Sequence, residues 1–158
     1  MLTAQIRRGA GCLFITALFL GLPASQVPAG ENSYIDEQGE EILLPKDVPV
    51  YTLEQPGPWR EAAAQHELKI KYRIREEGLE DIRVLKILYP HPMKEGTDEW
   101  IKAIYVLEKD GIIVGYQSFS PGAEEAAAEI QINGVINYIE IYAECRKHGL
   151  WRTNVKFK

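Results

Sequence analysis

The sequence predicts an all-β fold, an immunoglobulin-like antiparallel β-sandwich, and three observations carry that prediction. The stretch "LKIKYRI" sets Leu68, Ile70, Tyr72 and Ile74 alternately against charged neighbours, the period of two expected of a half-buried strand. Asp110-Gly111 and Asn133-Gly134 each stand between two β-rich runs, and such dipeptides are favoured where a chain reverses as a hairpin. Beyond the first thirty residues no run has the length and apolar stripe of a packed helix.

Taken in order, the chain of 158 residues begins with Arg7-Arg8, the apolar run "GCLFITALFLGL" and the small-residue site "VPA". That sequence of features makes residues 1–29 a cleaved signal peptide, with the cut after Ala29. The apolar run is shorter than the roughly 20 residues that span a bilayer. Adjacent arginines suit twin-arginine export, although "IRRGAGCLF" lacks the rest of that signal. Cys12 precedes the apolar core, a poor place for a lipid anchor, and leaves with the leader. The mature protein is expected to be exported, periplasmic or secreted.

Residues 30–58 mix acids, prolines and glycines without sustained periodicity and read as an extended lead-in segment. Residues 59–158 form the sandwich domain. After "LKIKYRI" come the runs "DIRVLKILY", "WIKAIYVLEKDGIIVGYQSFS" and "AAAEIQINGVINYIEIYAEC", which together supply six or seven strands. The stretches 61–67 and 123–129 are each expected to make one helical turn.

Losing residues 1–29 removes two arginines and no acids, so the formal charge moves from −5 to −7 over 129 residues. An acidic chain of this kind is a poor match for nucleic acid or for an anionic membrane surface. Neither is expected as a partner after signal cleavage. There is no phosphate-binding glycine loop, no His-Glu-x-x-His helix and no Gly-x-Ser-x-Gly elbow.

The chemistry concentrates instead in four residues. Cys145 is the only cysteine of the mature chain, so no intramolecular disulfide can protect it outside the reducing cytosol. His148 follows it in a Cys-x-x-His spacing that lets one turn present two ligands to one ion. His66 and His91 complete the histidines of the chain, and each sits at the end of a strand pattern. Strand ends from distant sequence meet at one rim of a sandwich. A mixed imidazole and thiolate set suits iron, zinc or copper. A thiol nucleophile with His148 as base is poorly supported, because no oxyanion arrangement accompanies it. Trp59, Trp100 and Trp151 read as packing residues.

"HPM" at 91–93, "EWI" at 99–101, the Asp-Gly hairpin, "SPG" at 120–122 and "CRKHGLW" at 145–151 resemble the iron domain of superoxide reductases, the desulfoferrodoxin or neelaredoxin family, over about residues 59 to 155. That resemblance implies one mononuclear iron (Fe2+/Fe3+), held by equatorial histidines and an axial cysteinate. It implies one-electron reduction of superoxide to hydrogen peroxide, with an external electron donor. Cys145 matches the axial thiolate and His148 the histidine of its motif, and these two are then the catalytic iron site itself. His91 matches the histidine of the His-Pro-Met turn, and His66 the histidine on the iron-side loop.

The chain also departs from the family. After "HPM" the family supplies a further histidine, whereas "HPMKEGTDEWI" is one residue shorter, with Thr97 or Gly96 in its place. Glu95, Asp98 and Glu99 are the nearby carboxylates, and Glu95 or Asp98 is the candidate substitute ligand. Ahead of His66 the family's Glu-Lys pair is replaced by Ala64 and Gln65, leaving Lys69 or Lys147 to supply a positive charge. No cysteine in residues 30–58 offers a second iron centre. Two other readings stay open: a metal-binding or redox-sensing domain of this fold without turnover, and an interaction sandwich. The latter rests on "RVLKILYPHPMKEG", which also resembles a strand and turn in the carrier-binding subunit of bacterial thiosulfate oxidation.

Overall fold

A computed structural model describes residues 33–78, 80–134 and 136–157; the expected signal peptide, 1–29, lies outside them. Seven strands follow residue 59: β4 (Lys69–Glu77), β5 (Glu80–Tyr89), β6 (Ile101–Glu108), β7 (Ile113–Ser118), β8 (Ala126–Asn133), β9 (Tyr138–Cys145) and β10 (Gly149–Lys156). They form two facing sheets, β4-β5-β8 and β10-β9-β6-β7. Their inner faces make the β-sandwich expected from the sequence.

The lead-in supplies three further strands: β1 (Ser33–Ile35), β2 (Glu41–Leu43) and β3 (Val50–Tyr51). β1 and β2 pair with each other, and β3 extends the larger sheet by a parallel register with β10, Leu150 opposite Val50. Tyr34, Ile42, Leu44 and Val48 pack on the outer side of that sheet, over Tyr105 and Leu107. This explains why "AIYVL" in β6 is apolar at every position: Ile104 and Val106 face the inner core, Tyr105 and Leu107 the lead-in. A strand covered on both faces loses its alternation.

The inner core is built by period two. β8 buries Ala126, Ala128, Ile130 and Ile132, leaving Ala127 half-buried and Glu129 and Gln131 exposed between them. The helical turn expected at 123–129 is therefore corrected: the alanines pair as a strand with Leu88, Ile87 and Tyr89 of β5, because inter-sheet burial outweighs their modest helical preference. A Cβ on Gly115 would strike the Ile130 side chain from the facing sheet, so that position admits only glycine. Truncating a buried residue such as Ile141 is worth about 2–5 kcal/mol in such a core.

Two turns behave differently from one another. Asp110-Gly111 closes the β6–β7 hairpin, with Glu108 N–H donating to Ile112 O at 2.9 Å. Asn133-Gly134 does not close one, a second correction: β8 pairs with β5, whereas β9 pairs with β6 and β10. The chain crosses here from one sheet to the other, and Gly134 takes φ +86° to make the departure. The turn expected at 61–67 is a longer 3-10 helix, Gly57–His66, whose regularity breaks at Trp59.

Candidate metal centre

Four chain segments end at the same rim of the sandwich. β9 sends Ile139, Ile141, Ala143 and Cys145 into the core at every second residue, so the pleat alone carries the Cys145 sulfur inward. β5 does the same with Leu85, Ile87 and Tyr89, and His91 continues that spacing just beyond the strand. The 3-10 helix ends on His66. His148 comes from the tight turn between β9 and β10, which closes on Gly149 at φ +79°. A Cβ on Gly149 would stand 3.1 Å from Pro49 O, the carbonyl that accepts from Leu150 N–H.

One ligand atom each from His66, His91, Cys145 and His148 lies within 4.8 Å of all the others. All four residues are buried; His66 is 1% exposed and Cys145 2%. The sulfur stands 3.3 Å from His91 Nε2 and 3.3 Å from His148 Nδ1. Ligands on opposite sides of an ion bonded at roughly 2.0–2.3 Å would be roughly 4–4.6 Å apart. The group is a few tenths of an ångström wider than that span.

Hydrogen bonding outside the cluster decides which nitrogens point in. His66 Nδ1–H donates to Ala62 O at 2.9 Å and His91 Nδ1–H to Pro92 O at 2.7 Å. Carbonyls accept only, so each ring keeps its lone pair on Nε2. His66 Nε2 is fully buried and has no hydrogen-bond partner among the described residues. Such an orphan acceptor is costly in an apolar rim, and a cation at the centre of the cluster would satisfy it. The residues therefore fit a metal: two imidazoles are each oriented from behind by a backbone carbonyl, in the manner of ligand histidines.

The electrostatics agree. Burial holds His66 far below the usual imidazole range, at about 3, against the opposing pull of its Ala62 bond. Burial also lowers His91 and His148, so three neutral donors are present near neutral pH. Without a metal, burial pushes the Cys145 thiol up, and a coordinated cation reverses that preference.

Aromatic rings wall the cluster. Trp151 stacks on His66 with ring centres 4.2 Å apart and planes 10° from parallel. Trp59 meets His148 edge-on at 4.9 Å. The tryptophans at 59 and 151 are thus packing residues of the site itself. Trp151 follows His148 by three residues on β10, a placement that the sequence signalled only through its "HGLW" tail.

Outside the walls, a cleft lined by Trp59, Arg60, Gln65, Glu99, Lys147 and His148 opens to solvent. Glu99 accepts from Lys147 at 2.8 Å and from Lys94 at 2.6 Å. These two ammonium groups hold its carboxyl down, at about 2. Of the two lysines proposed for a positive charge, Lys147 lies at this cleft, whereas Lys69 lines the outer face of the smaller sheet.

The substitute ligands considered above are not brought into the cluster. Asp98 is exposed and pairs with Arg146 at 3.2 Å, and Glu95 is exposed beside Gly122. Thr97 sits on the exposed turn, its hydroxyl donating to Lys94 O and accepting from Glu99 N–H. Among these residues Glu99 is the carboxylate whose charge reaches His91 and His148. The sequence offered it as one of the carboxylates near the missing histidine; its pair with Lys147, forty-eight residues away, is what the fold adds.

No family model and no curated protein matches the chain. Three solved structures resemble its trace. A superoxide reductase from Nanoarchaeum equitans is 20% identical with a TM-score of 0.46, covering 60% of this chain and 94% of its own. A hypothetical protein from Pyrococcus horikoshii OT3 is 22% identical with a TM-score of 0.47, covering 67% and 99%. A superoxide reductase in the oxidized state is 19% identical with a TM-score of 0.47, covering 69% and 96%. Two of the three bear the name of the family that the motifs at 91–93 and 145–151 resemble; at such scores this is a likeness of trace, and the donor set rests on this chain's own residues.

Proposed function

We propose that this protein is a superoxide reductase-like mononuclear iron protein, held by His66, His91, His148 and Cys145, that reduces superoxide by one electron. One observation carries the reading: three neutral imidazole nitrogens and one sulfur face a common point inside a buried rim, and one of those nitrogens has no partner. A thiolate with imidazoles is a donor set that tunes an iron redox couple as well as binding it. Bound iron would supply the single electron that turns superoxide, with two protons, into hydrogen peroxide.

The chain's own residues define the surroundings of that chemistry. Ala62 O and Pro92 O keep two imidazole planes fixed, so the donors need little rearrangement. Trp151 and Trp59 exclude water from two sides. At the open cleft, Lys147 and Arg60 supply positive charge toward an approaching anion, with Glu99 holding the Lys147 ammonium in place. Export by the signal at 1–29, and supply of electrons by an external donor, belong to the same proposal.

The test is a spectrum. Protein loaded with ferrous iron without oxygen and then oxidised should develop a visible thiolate-to-iron band that is absent in Cys145→Ser, and should consume superoxide. A four-donor His3Cys set is also a complete tetrahedral zinc site, which favours a second reading as a non-redox metal domain. Stoichiometric zinc with no iron uptake would establish that alternative and end the first.

A further inference from the structure

The outer face of the smaller sheet carries cations that the fold does not neutralise. Leu68 and Ile70 pack inward, so Lys69, Lys71, Arg73 and Arg75 of β4 point outward along one edge. Lys71 stands directly across from Lys86 of β5, a like-charge pair that costs stability in a sheet. Lys86 is answered by Glu129 at 3.4 Å and Arg75 by Glu77 at 3.0 Å. Among the described residues Lys69, Lys71 and Arg73 have no ion-pair partner. Beside Lys69, Lys71 and Lys86 runs a groove of about 520 Å³ with Leu88 and Ala127 in its floor, which Glu125 and Glu129 also line. Charge at a sheet edge deters strand pairing, but deterrence needs no apolar groove behind the charge. The row Lys69, Lys71 and Arg73, unpaired beside an apolar floor on a chain whose charge is −7 once residues 1–29 are removed, is a surface suited to an acidic partner.

We propose that this face is the docking surface of an acidic electron-carrier protein that reduces the metal centre. The proposal rests on the function inferred above. Lys69 lies three residues from His66, and Leu88 three residues from His91. At the rise of a strand that places the groove on the order of 10 Å from the donors along both chains. The carrier gives up one electron and is oxidised; the ferric centre accepts it and becomes ferrous. No bond forms or breaks, and no proton moves. The approach of the carrier leaves the cleft at Lys147 and His148 free for the anionic substrate, because groove and cleft share no residue.

The test uses the full mature protein and reduced plant-type ferredoxin, an acidic one-electron carrier, as the probe. Calorimetry at low ionic strength should give measurable binding that weakens steeply with salt. The variant Lys69→Glu/Lys71→Glu/Arg73→Glu should bind at least about tenfold more weakly and slow ferredoxin oxidation by the ferric protein in proportion, with its visible spectrum unchanged. Lys109→Glu, on the distant β6–β7 turn, should bind as the parent does. Equal binding by the triple variant would overturn the proposal. So would binding without electron transfer to an iron-loaded protein, or attachment of the parent to phosphatidylserine vesicles with no ferredoxin binding. If the protein takes up no iron, the function fails instead, while ferredoxin binding, which needs no iron, still decides whether the surface recognises an acidic protein.

Discussion

The metal rim and the outer face of the smaller sheet are opposites in what they leave incomplete. At the rim, electron-pair donors are buried and turned toward each other, and a lone pair on His66 goes unanswered. On the outer face, cations stand exposed over a partly apolar floor. The rim gathers electron-pair donors and the face gathers cations in excess of its anions, and Lys69 and Leu88 stand only three residues along the chain from His66 and His91. The difference teaches how a sandwich pays for function: the donors cost burial energy and are held by surrounding packing, whereas the exposed lysines cost little beyond the Lys71–Lys86 repulsion and are free of packing.

If that contrast is right, perturbing the rim should be far more damaging than perturbing the face. The largest effect is expected for Trp151→Ala, which removes both a buried ring and the stacking partner of His66. A loss of about 3–5 kcal/mol of stability is expected for a buried aromatic, together with loss of metal. Denaturant unfolding and metal analysis check both, and Trp151→Phe should restore much of each. A Trp151→Ala protein with normal metal content would mean that the wall does not hold the donor.

Metal removal comes next. An ion present at about a thousand times its Kd stabilises the folded state by about 4 kcal/mol, so chelation should lower Tm by on the order of 10 °C. Melting curves with and without chelator read this directly. An unchanged Tm would separate the cluster from any bound ion.

Acid should weaken the metal-free protein through the same residues. The folded-state pKa of His66 lies at about 3, below its usual value of 6.5. Folding is then favoured fully above pH 6.5, and stability is lost as pH falls from there toward 3, because the unfolded chain takes up a proton that the buried ring refuses. Metal affinity should fall over an overlapping range as protons compete for the donors. Replacing His66 by Gln should flatten the stability profile of the metal-free protein; an unaltered profile would point to another group.

The smallest effects belong to exposed positions. Reversing Lys69, Lys71 and Arg73 should change stability by less than about 0.5 kcal/mol per site, whatever it does to docking. Thr97→His should leave metal affinity within about twofold, since Thr97 is a turn residue on the surface. A clear gain in iron affinity there would show that the loop can fold over the rim.

The turn of 94–99 also shows why part of the site was hard to read from the chain. The motifs "HPM" and "CRKHGLW" marked His91, Cys145 and His148 by local spacing, and His66 by its place ahead of a strand. Glu99 stood among the acids after "HPM", but its ion pair with Lys147 could not be read locally, because the two are 48 residues apart. The run 123–129 was misleading for a different reason. Alanines favour a helix in isolation and a strand when every second one faces a packed sheet.

What the sequence determined by itself was the set of local choices: period two in β4 and β8, the Asp110-Gly111 reversal, the sole mature cysteine and its partner histidine three residues on. These depend on a few neighbouring residues, and their physics is complete within one turn or strand. Only the tertiary structure decided that Asn133-Gly134 crosses between sheets, that the lead-in covers the outer face of the larger one, and that His66 Nε2 joins the other three donors. Each of these depends on which surface lies opposite. That is set by the burial of whole faces against one another, a quantity no short stretch of chain contains.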